Sequence, residues 1–107
     1  MFEVKQSGDK YHFVLKAGNG QVILSSQMYA SKSGAMNGIE SVRKNSQSDA
    51  RFERKSTRAG KWRFNLRATN GQVIGVSESY ESEKARENGI ASVAKNAPGA
   101  KVVDETA

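Results

Sequence analysis

The segment Asn-Gly-Gln-Val-Ile occurs twice, at residues 19–23 and again at residues 70–74, and this repetition constrains the fold more than any other feature of the chain. At an offset of 51 positions, 19 of the 36 residues from Lys10 to Asn45 recur unchanged. Internal repeats define the structural unit and are identified before a fold class is assigned. The sequence therefore predicts two copies of one unit.

The two copies are too short to form separate domains. The chain has 107 residues, which is the size of one domain, and a copy of about 50 residues buries only a marginal core by itself. The connection at residues 46–50 is short and polar, unlike a long flexible linker. We predict a single pseudo-symmetric domain over residues 1–107, with repeat one at 1–50 and repeat two at 51–107.

Alternating apolar and polar residues predict three strands in each copy. Residues 2–6 alternate with a period of two, and a longer strand follows from residue 10 to residue 16. An Asn-Gly pair between two strand patterns is typical of a type I′ hairpin turn, which requires positive φ at both central residues. We therefore predict such a turn at Asn19 and Gly20, and a three-stranded meander around it.

A helix is predicted after each meander. Ser31 and Ser82 are suitable N-cap residues, because a serine hydroxyl accepts a hydrogen bond from a free amide of the first helical turn. Ile39 and Val42, which recur in the second copy, form an apolar stripe at helical spacing. Each copy thus combines a meander with an amphipathic helix.

The chain returns to a strand after each helix. Residues 51–53 open the second copy, whereas residues 101–104 form an equivalent strand with no third copy behind it. An isolated strand needs a partner, and the edge left by the other half is available. The predicted fold class is α+β: two tandem βββα repeats plus a closing C-terminal strand, in a mostly antiparallel sheet of about seven strands with both helices on one face.

The repeated motifs resemble those of the YegP-like family of small bacterial tandem-repeat proteins. The resemblance rests on the Asn-Gly-Gln-Val-Ile turn, a Tyr-x-Ser cap, and an Asn-Gly-Ile-x-Ser-Val helix that ends in Lys-Asn, each present twice. It implies a unit of three strands, a helix and a strand, with closing strands exchanged between repeats. The family has no assigned function, so the resemblance implies no catalytic residues. This chain has Arg54 where its first copy has Val4, so the two strands differ in one buried-side position.

The residue types present exclude several kinds of site. The chain has no cysteine, so disulfides and thiolate metal sites are excluded. His12 is the single histidine and is predicted to face solvent, and no glycine-rich loop leads into a helix with a Lys-Ser or Lys-Thr ending. We predict no enzymatic activity, and no catalytic, metal-binding or cofactor-binding residues. The absence of a signal-peptide pattern and of about 20 consecutive apolar residues predicts a soluble, cytoplasmic protein.

The strongest functional signal is the uneven distribution of positive charge. Of a formal charge of +6, the segment from Arg43 to Arg67 carries +7 and the rest of the chain −1. Strand alternation places basic and polar residues of segment 61–67 on one face, where they could follow a phosphate backbone. The candidate residues for binding an acidic partner are Arg54, Lys55, Arg58, Lys61, Arg63 and Arg67.

Two functional hypotheses follow from the sequence. One is a non-enzymatic binding module whose basic sheet face meets a nucleic acid or another acidic partner. The other is a structural or protein–protein interaction module that uses sheet edges or the groove between the helices, and ligand binding between the repeats is a third alternative. We predict a monomer, with a strand-swapped dimer as the alternative, since repeated elements exchange at low cost.

Four residues inside the helices have no role that the sequence can assign. A glycine within a helix costs about 1 kcal/mol relative to alanine, yet both copies contain one, Gly38 and Gly89. Close approach of the helix to the sheet or to the other helix would explain them. The preceding Asn37 and Asn88 could either hydrogen-bond a loop or line a groove.

Overall fold

Seven strands and two helices make up the chain in a computed structural model that describes residues 1–106. A short 3₁₀ turn precedes β4. The elements are β1 (Phe2–Ser7), β2 (Lys10–Lys16), β3 (Val22–Ser25), α1 (Lys32–Asn45), the 3₁₀ turn (Asp49–Arg51), β4 (Phe52–Ser56), β5 (Trp62–Arg67), β6 (Val73–Val76), α2 (Glu83–Asn96) and β7 (Val102–Asp104). The fold is α+β, as predicted.

The strands form one sheet in the order β4-β5-β6-β3-β2-β1-β7. Neighbouring strands are antiparallel except for β7, which runs parallel to β1. The closing strand therefore pairs with the first half of the chain, which confirms the exchange of strands. Both helices pack on the same face of the sheet. We call that side the helix side and the opposite side the open face.

The two halves pair their first strands in the same register. Phe2 lies opposite Leu15 in the first half, and Phe52 lies opposite Leu66 in the second. These four residues belong to one hydrophobic core that both helices cover. Phe2 meets the ring of Phe13 edge-on at 5.8 Å between centroids, and the corresponding pair in the second half is 5.6 Å apart. The repeat thus gives two nearly identical packing units.

The hairpin at Asn19 and Gly20 differs from the predicted type I′ turn. Gly20 has a φ of 84°, but no residue other than glycine has positive φ in the described chain. The Gly20 amide donates to the Ala17 carbonyl and the Ala17 amide donates to the Gln21 carbonyl, each at 2.9 Å. This is a three-residue loop, a type I turn followed by a left-handed glycine. The Asn19 side chain accepts from the Gln21 amide instead of adopting positive φ.

The offset between the copies is 50 at Phe2-Glu3 but 51 from Lys10 onward, so the sequence indicates one extra residue in the second copy, and the turn between β4 and β5 accommodates it. The Gly60 amide donates to the Thr57 carbonyl at 3.1 Å, and Gly60 has a φ of 78°. In the first half, Ser7 pairs directly with Lys10 across a two-residue turn. The insertion therefore lengthens a surface turn and leaves the strand register unchanged.

A β-bulge directs two consecutive apolar residues of β3 towards the helices. Leu15 lies opposite Leu24 but Lys16 lies opposite Val22, so Ile23 is an extra residue in the ladder. A bulge of this kind interrupts the alternation of side chains between the two faces. Ile23 and Leu24 are both buried, and β6 repeats the irregularity.

Both helices begin at the predicted serine caps. The Ser31 hydroxyl accepts from the Gly34 amide and the Ser82 hydroxyl accepts from the Ala85 amide, each at 3.0 Å. Inside the helices, Gly38 and Gly89 lie against tyrosine rings. A Cβ added to Gly38 would lie 2.8 Å from Cζ of Tyr29 and 2.9 Å from Cε2 of Phe13, and one added to Gly89 would lie 2.6 Å from Cζ of Tyr80. Close packing of helix on sheet accounts for both glycines.

Candidate functional site

The open face of the sheet carries most of the predicted basic residues. Strand alternation places Lys55 of β4 on this face together with Arg63 and Arg67 of β5. Lys61, just before β5, has the same parity and pairs with Glu81. Four of the six predicted residues therefore lie together.

The other two predicted residues lie elsewhere. Arg54 has the parity of Phe52 and lies on the helix side, where its Nε is 3.0 and 2.9 Å from the two carboxylate oxygens of Glu87. Its Nη2 donates to Asp49 at 2.8 Å. These carboxylates raise the pKa of the Arg54 guanidinium. Arg58 is exposed in the turn between β4 and β5. The sequence grouped these residues because they are close along the chain, and strand alternation separates them.

Each half of the open face has one carboxylate held by a cation on the next strand. The Arg67 guanidinium donates to both oxygens of Glu53 at 2.8 Å, and the Lys16 ammonium lies 2.9 Å from Glu3. These hydrogen bonds lower the pKa of Glu53 and of Glu3. Asn65 also donates to Glu53 at 3.1 Å. Both carboxylates are thus ionised and paired, and they neutralise part of the basic face.

Two cross-strand pairs on the open face consist of basic residues only. Lys55 lies directly opposite Arg63, and at the equivalent place in the first half Lys5 lies opposite His12. Like charges directly opposite each other in a sheet are destabilising. Nδ1 of His12 and Nε of Arg63 are both buried, and neither has a hydrogen-bond partner among residues 1–106. The lysine of each pair lies near a carboxylate of its own strand, at 3.8 Å from Glu53 and 3.6 Å from Glu3, so the unpartnered nitrogens are those of Arg63 and His12.

Sequence reasoning missed the part of the basic face that belongs to the first half. Lys5, His12 and Lys16 share the open face with the second-half residues. They were not predicted because they lie outside the basic segment 43–67, on which the prediction was based. The repeat contained the signal, because Lys5 corresponds to Lys55 and His12 to Arg63. Aligning the two copies by strand, rather than counting charge along the chain, would have identified them.

The aromatic residues of β2 and β5 lie on the helix side. Phe64 is fully buried and stacks on Tyr80 at 6.3 Å, and the Arg86 guanidinium lies 5.1 Å from the centroid of Trp62. Base stacking needs exposed aromatic surface. The open face therefore offers cations and hydrogen-bond donors without a stacking platform.

Metal binding and membrane insertion each require features that can be checked in the described residues. Within residues 1–106, no three His, Asp or Glu side chains are grouped closely enough to hold a metal ion. Over the same residues, neither helix has the length and apolar character needed to cross a membrane. The two asparagines that precede the helix glycines are exposed, and Asn88 lines shallow cavities beside the 17–21 loop.

The family model of a domain of unknown function, DUF1508, matches this chain twice, at residues 6–53 and 58–104. The chain belongs to this family. It is 53% identical over 104 residues to the UPF0339 protein in the ptx operon 5′ region of Stutzerimonas stutzeri, covering 96% of this chain and 94% of the relative. It is 49% identical to the UPF0339 protein YegP of Escherichia coli, covering 98% and 96% of the two chains. The YegP-like resemblance is confirmed.

Two solved structures have the same fold. The solution structure of the UPF0339 protein SO3888 from Shewanella oneidensis superposes with a TM-score of 0.93 at 49% identity, covering 98% of this chain and 90% of that one. The solution structure of YegP from Escherichia coli gives a TM-score of 0.92, also at 49% identity, and covers 98% and 91%. That protein is described as one of unknown function. The comparisons show the fold and the family and assign no activity.

Proposed function

We propose that this protein is a non-enzymatic binding module whose open face contacts the phosphate backbone of a nucleic acid. The observation that carries the proposal is the like-charged cross-strand pair of Lys55 and Arg63, next to which Lys5 and His12 stand in the equivalent register positions of the first half. Placing like charges opposite each other weakens a sheet. A bound phosphate between Lys55 and Arg63 would convert this unfavourable pair into two favourable charge-assisted contacts.

The arrangement of the open face supports contact with the backbone rather than with the bases. Arg63 has an unpartnered Nε beside an exposed Lys55 head group, whereas Arg67 is held by Glu53. Phosphate contacts by lysine and arginine carry no sequence information. With the aromatic side chains on the helix side, binding would depend on charge and would tolerate different sequences. We expect a cytoplasmic location for a protein with such a partner.

Fluorescence-anisotropy titrations with labelled single- and double-stranded oligonucleotides test the proposal. We expect micromolar binding at 50 mM salt that weakens steeply at 200 mM, because neutralising phosphates releases counterions. The double variant R63E/R67E should abolish binding. The matched control is K44E/K84E, which changes the net charge equally at two exposed lysines of the helices.

The control decides whether the position of the charge matters. If R63E/R67E and K44E/K84E weaken binding equally, the effect is that of net charge and the open face is not the site. If R63E/R67E still binds as the unmodified protein does, the proposal is wrong. Association that does not respond to salt would instead favour protein–protein interaction through a sheet edge.

A further inference from the structure

The two ends of the sheet form equivalent grooves that differ in occupancy. We call the groove between β1 and α1 the β1 groove, and the groove between β4 and α2 the β4 groove. Both begin at a phenylalanine in the same register, Phe2 and Phe52. Both have an isoleucine of the helix at the same repeat position, Ile39 and Ile90.

β7 fills the β1 groove as an extended, parallel strand. The Phe2 amide donates to the Lys101 carbonyl at 2.7 Å, and the Glu105 amide donates to the Val4 carbonyl at 2.9 Å. Val102 lies beside Phe2 and packs against the core. The occupant thus supplies main-chain hydrogen bonds and an apolar side chain directed to the helix side.

Two basic residues of α1 hold β7 and the segment just before it in place. Asp104 lies beside Val4 on the helix side, and its carboxylate accepts from the Lys32 ammonium of α1 at 2.8 Å. Arg43 of α1 donates to the Ala100 carbonyl at 2.6 Å. The hydrogen bond from Lys32, followed by those from Thr106, lowers the pKa of Asp104. The β1 groove therefore accepts an apolar residue followed, two positions later, by a carboxylate.

The β4 groove has no strand in it among residues 1–106, and β4 forms the edge of the sheet. In its place is a cavity of about 340 Å³. The cavity is lined on its apolar side by Phe52, Ile90, Ala91 and Ala94, with Arg54 and Glu87 at the rim. Phe52 and Ile90 are each 6% exposed, whereas Phe2 and Ile39 are fully buried. The β4 groove lacks a strand, and the 46–51 connection covers part of it: Gln47 donates to the Ala94 carbonyl at 2.9 Å and the Phe52 amide donates to the Asp49 carbonyl.

We propose that the β4 groove binds an extended segment of another protein, added parallel to β4, with an apolar residue beside Phe52 and a carboxylate beside Arg54. Addition of a strand to an exposed sheet edge supplies main-chain hydrogen bonds, and pockets for alternate side chains supply specificity. The pattern comes from β7, whose Val102 and Asp104 occupy the equivalent places beside Phe2 and Val4.

The cation that would contact the carboxylate lies on the helix in the β1 groove and on the strand in the β4 groove. In the β1 groove it is Lys32 on α1, and its repeat equivalent on α2 is Glu83. In the β4 groove the strand itself provides Arg54 in place of Val4. Each groove therefore has one cation next to the register position that Asp104 occupies in the first half. Because Glu87 and Asp49 already hold Arg54, a segment carboxylate would bind there by replacing one of them.

Asp49 occupies the place of such a carboxylate in the free protein. Its side chain is 77% exposed and lies 2.8 Å from Nη2 of Arg54, while Glu87 holds Nε from the other side. An exposed ion pair contributes little to stability. A segment carboxylate can displace Asp49 at low cost, because Asp49 then returns to water.

Two helix positions beside the β4 groove carry smaller residues than their counterparts beside the β1 groove. Ala94 stands at the repeat position of Arg43, and Ala91 at that of Glu40. In the first half these two long side chains pair with each other across the surface of α1. The smaller residues of α2 leave space for a larger apolar side chain than the valine that β7 provides.

NMR titration with a synthetic peptide of residues 99–106 tests the proposal, since this segment shows which strand the fold accepts. We expect saturable shifts of the amides around Phe52, Arg54 and Ala94 in the β4 groove. The same peptide with E105P should bind about tenfold more weakly, because the Glu105 amide donates to the strand carbonyl in β7 and proline removes that donor.

Two variants of the protein should change affinity in opposite directions. R54V, which introduces the residue of the first half, should weaken binding about tenfold and abolish the difference between the peptide and its D104N form. D49N should tighten binding, because the internal competitor for Arg54 loses its charge. If Arg54 and Asp49 had only structural roles, the two variants would not change the affinity for the peptide in opposite directions.

Four results would overturn the proposal. They are a lack of shifts at millimolar peptide, shifts confined to β1 and α1 because the peptide replaces β7, shifts confined to the open face, and concentration-dependent self-association that fills the groove without peptide. The last result would identify a second copy of this chain as the occupant. An R63E/R67E variant should bind the peptide unchanged, so failure of the nucleic-acid proposal leaves this test intact.

Discussion

The two ends of the sheet begin with the same sequence and differ in what covers them. β1 and β4 both begin with Phe-Glu and pair with their neighbours in the same register, yet β1 lies between two strands and β4 at an edge. Chain order explains the difference. The strand that follows α1 is β4, which continues through a hairpin into β5. The strand that follows α2 is β7, which pairs with β1. Two copies of this unit therefore close one end and leave the other open.

Truncating the two equivalent phenylalanines tests this comparison with the largest expected effect. Phe2→Ala removes a fully buried ring and should cost about 3–5 kcal/mol of unfolding free energy. Phe52→Ala should cost roughly 1 kcal/mol less, because Phe52 borders the open groove and its loss leaves less enclosed empty space. Urea denaturation followed by tryptophan fluorescence measures both.

Equal losses would show that the β4 groove is as well covered in solution as the β1 groove. That result would point to an occupant already present, such as a second copy. Repeating both measurements at two protein concentrations separates the cases, because only a self-associated protein would gain stability with concentration.

The helix glycines provide the next comparison. Gly38→Ala places a methyl group against both Tyr29 and buried Phe13, so overpacking should outweigh the helix propensity gained, for a net loss of about 1–2 kcal/mol. Gly89→Ala meets only the half-buried Tyr80 and should lie within about 1 kcal/mol of the unmodified protein. Thermal unfolding followed by circular dichroism should rank them.

A matched pair of double variants sharpens this prediction. Adding Tyr29→Phe to Gly38→Ala should recover only part of the loss, since Phe13 still blocks the methyl group. Adding Tyr80→Phe to Gly89→Ala should recover a larger share of any loss, because the remaining clash, with Cζ at 2.6 Å, is with a half-buried ring that can shift towards solvent. The reverse order of the two glycine effects would refute the packing explanation.

The smallest predicted effect is on the pH dependence of stability, and it comes from Glu3 and Glu53, the paired carboxylates of the open face. The pKa values of Glu3 and Glu53 are lowered from the ordinary value of 4.5, so both groups contribute stability above that pH. This contribution is lost as the pH falls through the lowered values, because the unfolded chain then binds more protons than the folded one. We expect E3Q and E53Q each to flatten the acid limb of a plot of stability against pH.

The control for this prediction is E78Q, which changes an exposed carboxylate that makes no ion pair in the described chain. E78Q should leave the acid limb unchanged. Titration of the Glu53 side chain by NMR in the R67Q background should show its pKa moving upwards, since Arg67 is the main cause of the lowered value. A pKa of Glu53 that is indifferent to R67Q would contradict the ion-pair geometry.

The sequence by itself determined the architecture of this protein. Local periodicity and the repeat gave the strands, the two helices, the serine caps and the exchange of the closing strand. These features are set by residues close together in the chain or by identity between copies. The position of the inserted residue followed for the same reason, since turns at 7–10 and 56–61 are local.

Long-range packing sets which groups each side chain contacts and which groove stays open. Arg54 is two residues from Phe52 and therefore shares its side of the sheet, where Glu87 and Asp49 hold it away from the open face. The role of Gly38 depends on Tyr29, which lies on the preceding loop. The β4 groove is open because β7 pairs with β1 and not with β4. Such pairings depend on long-range register and steric fit, which no short stretch of sequence contains.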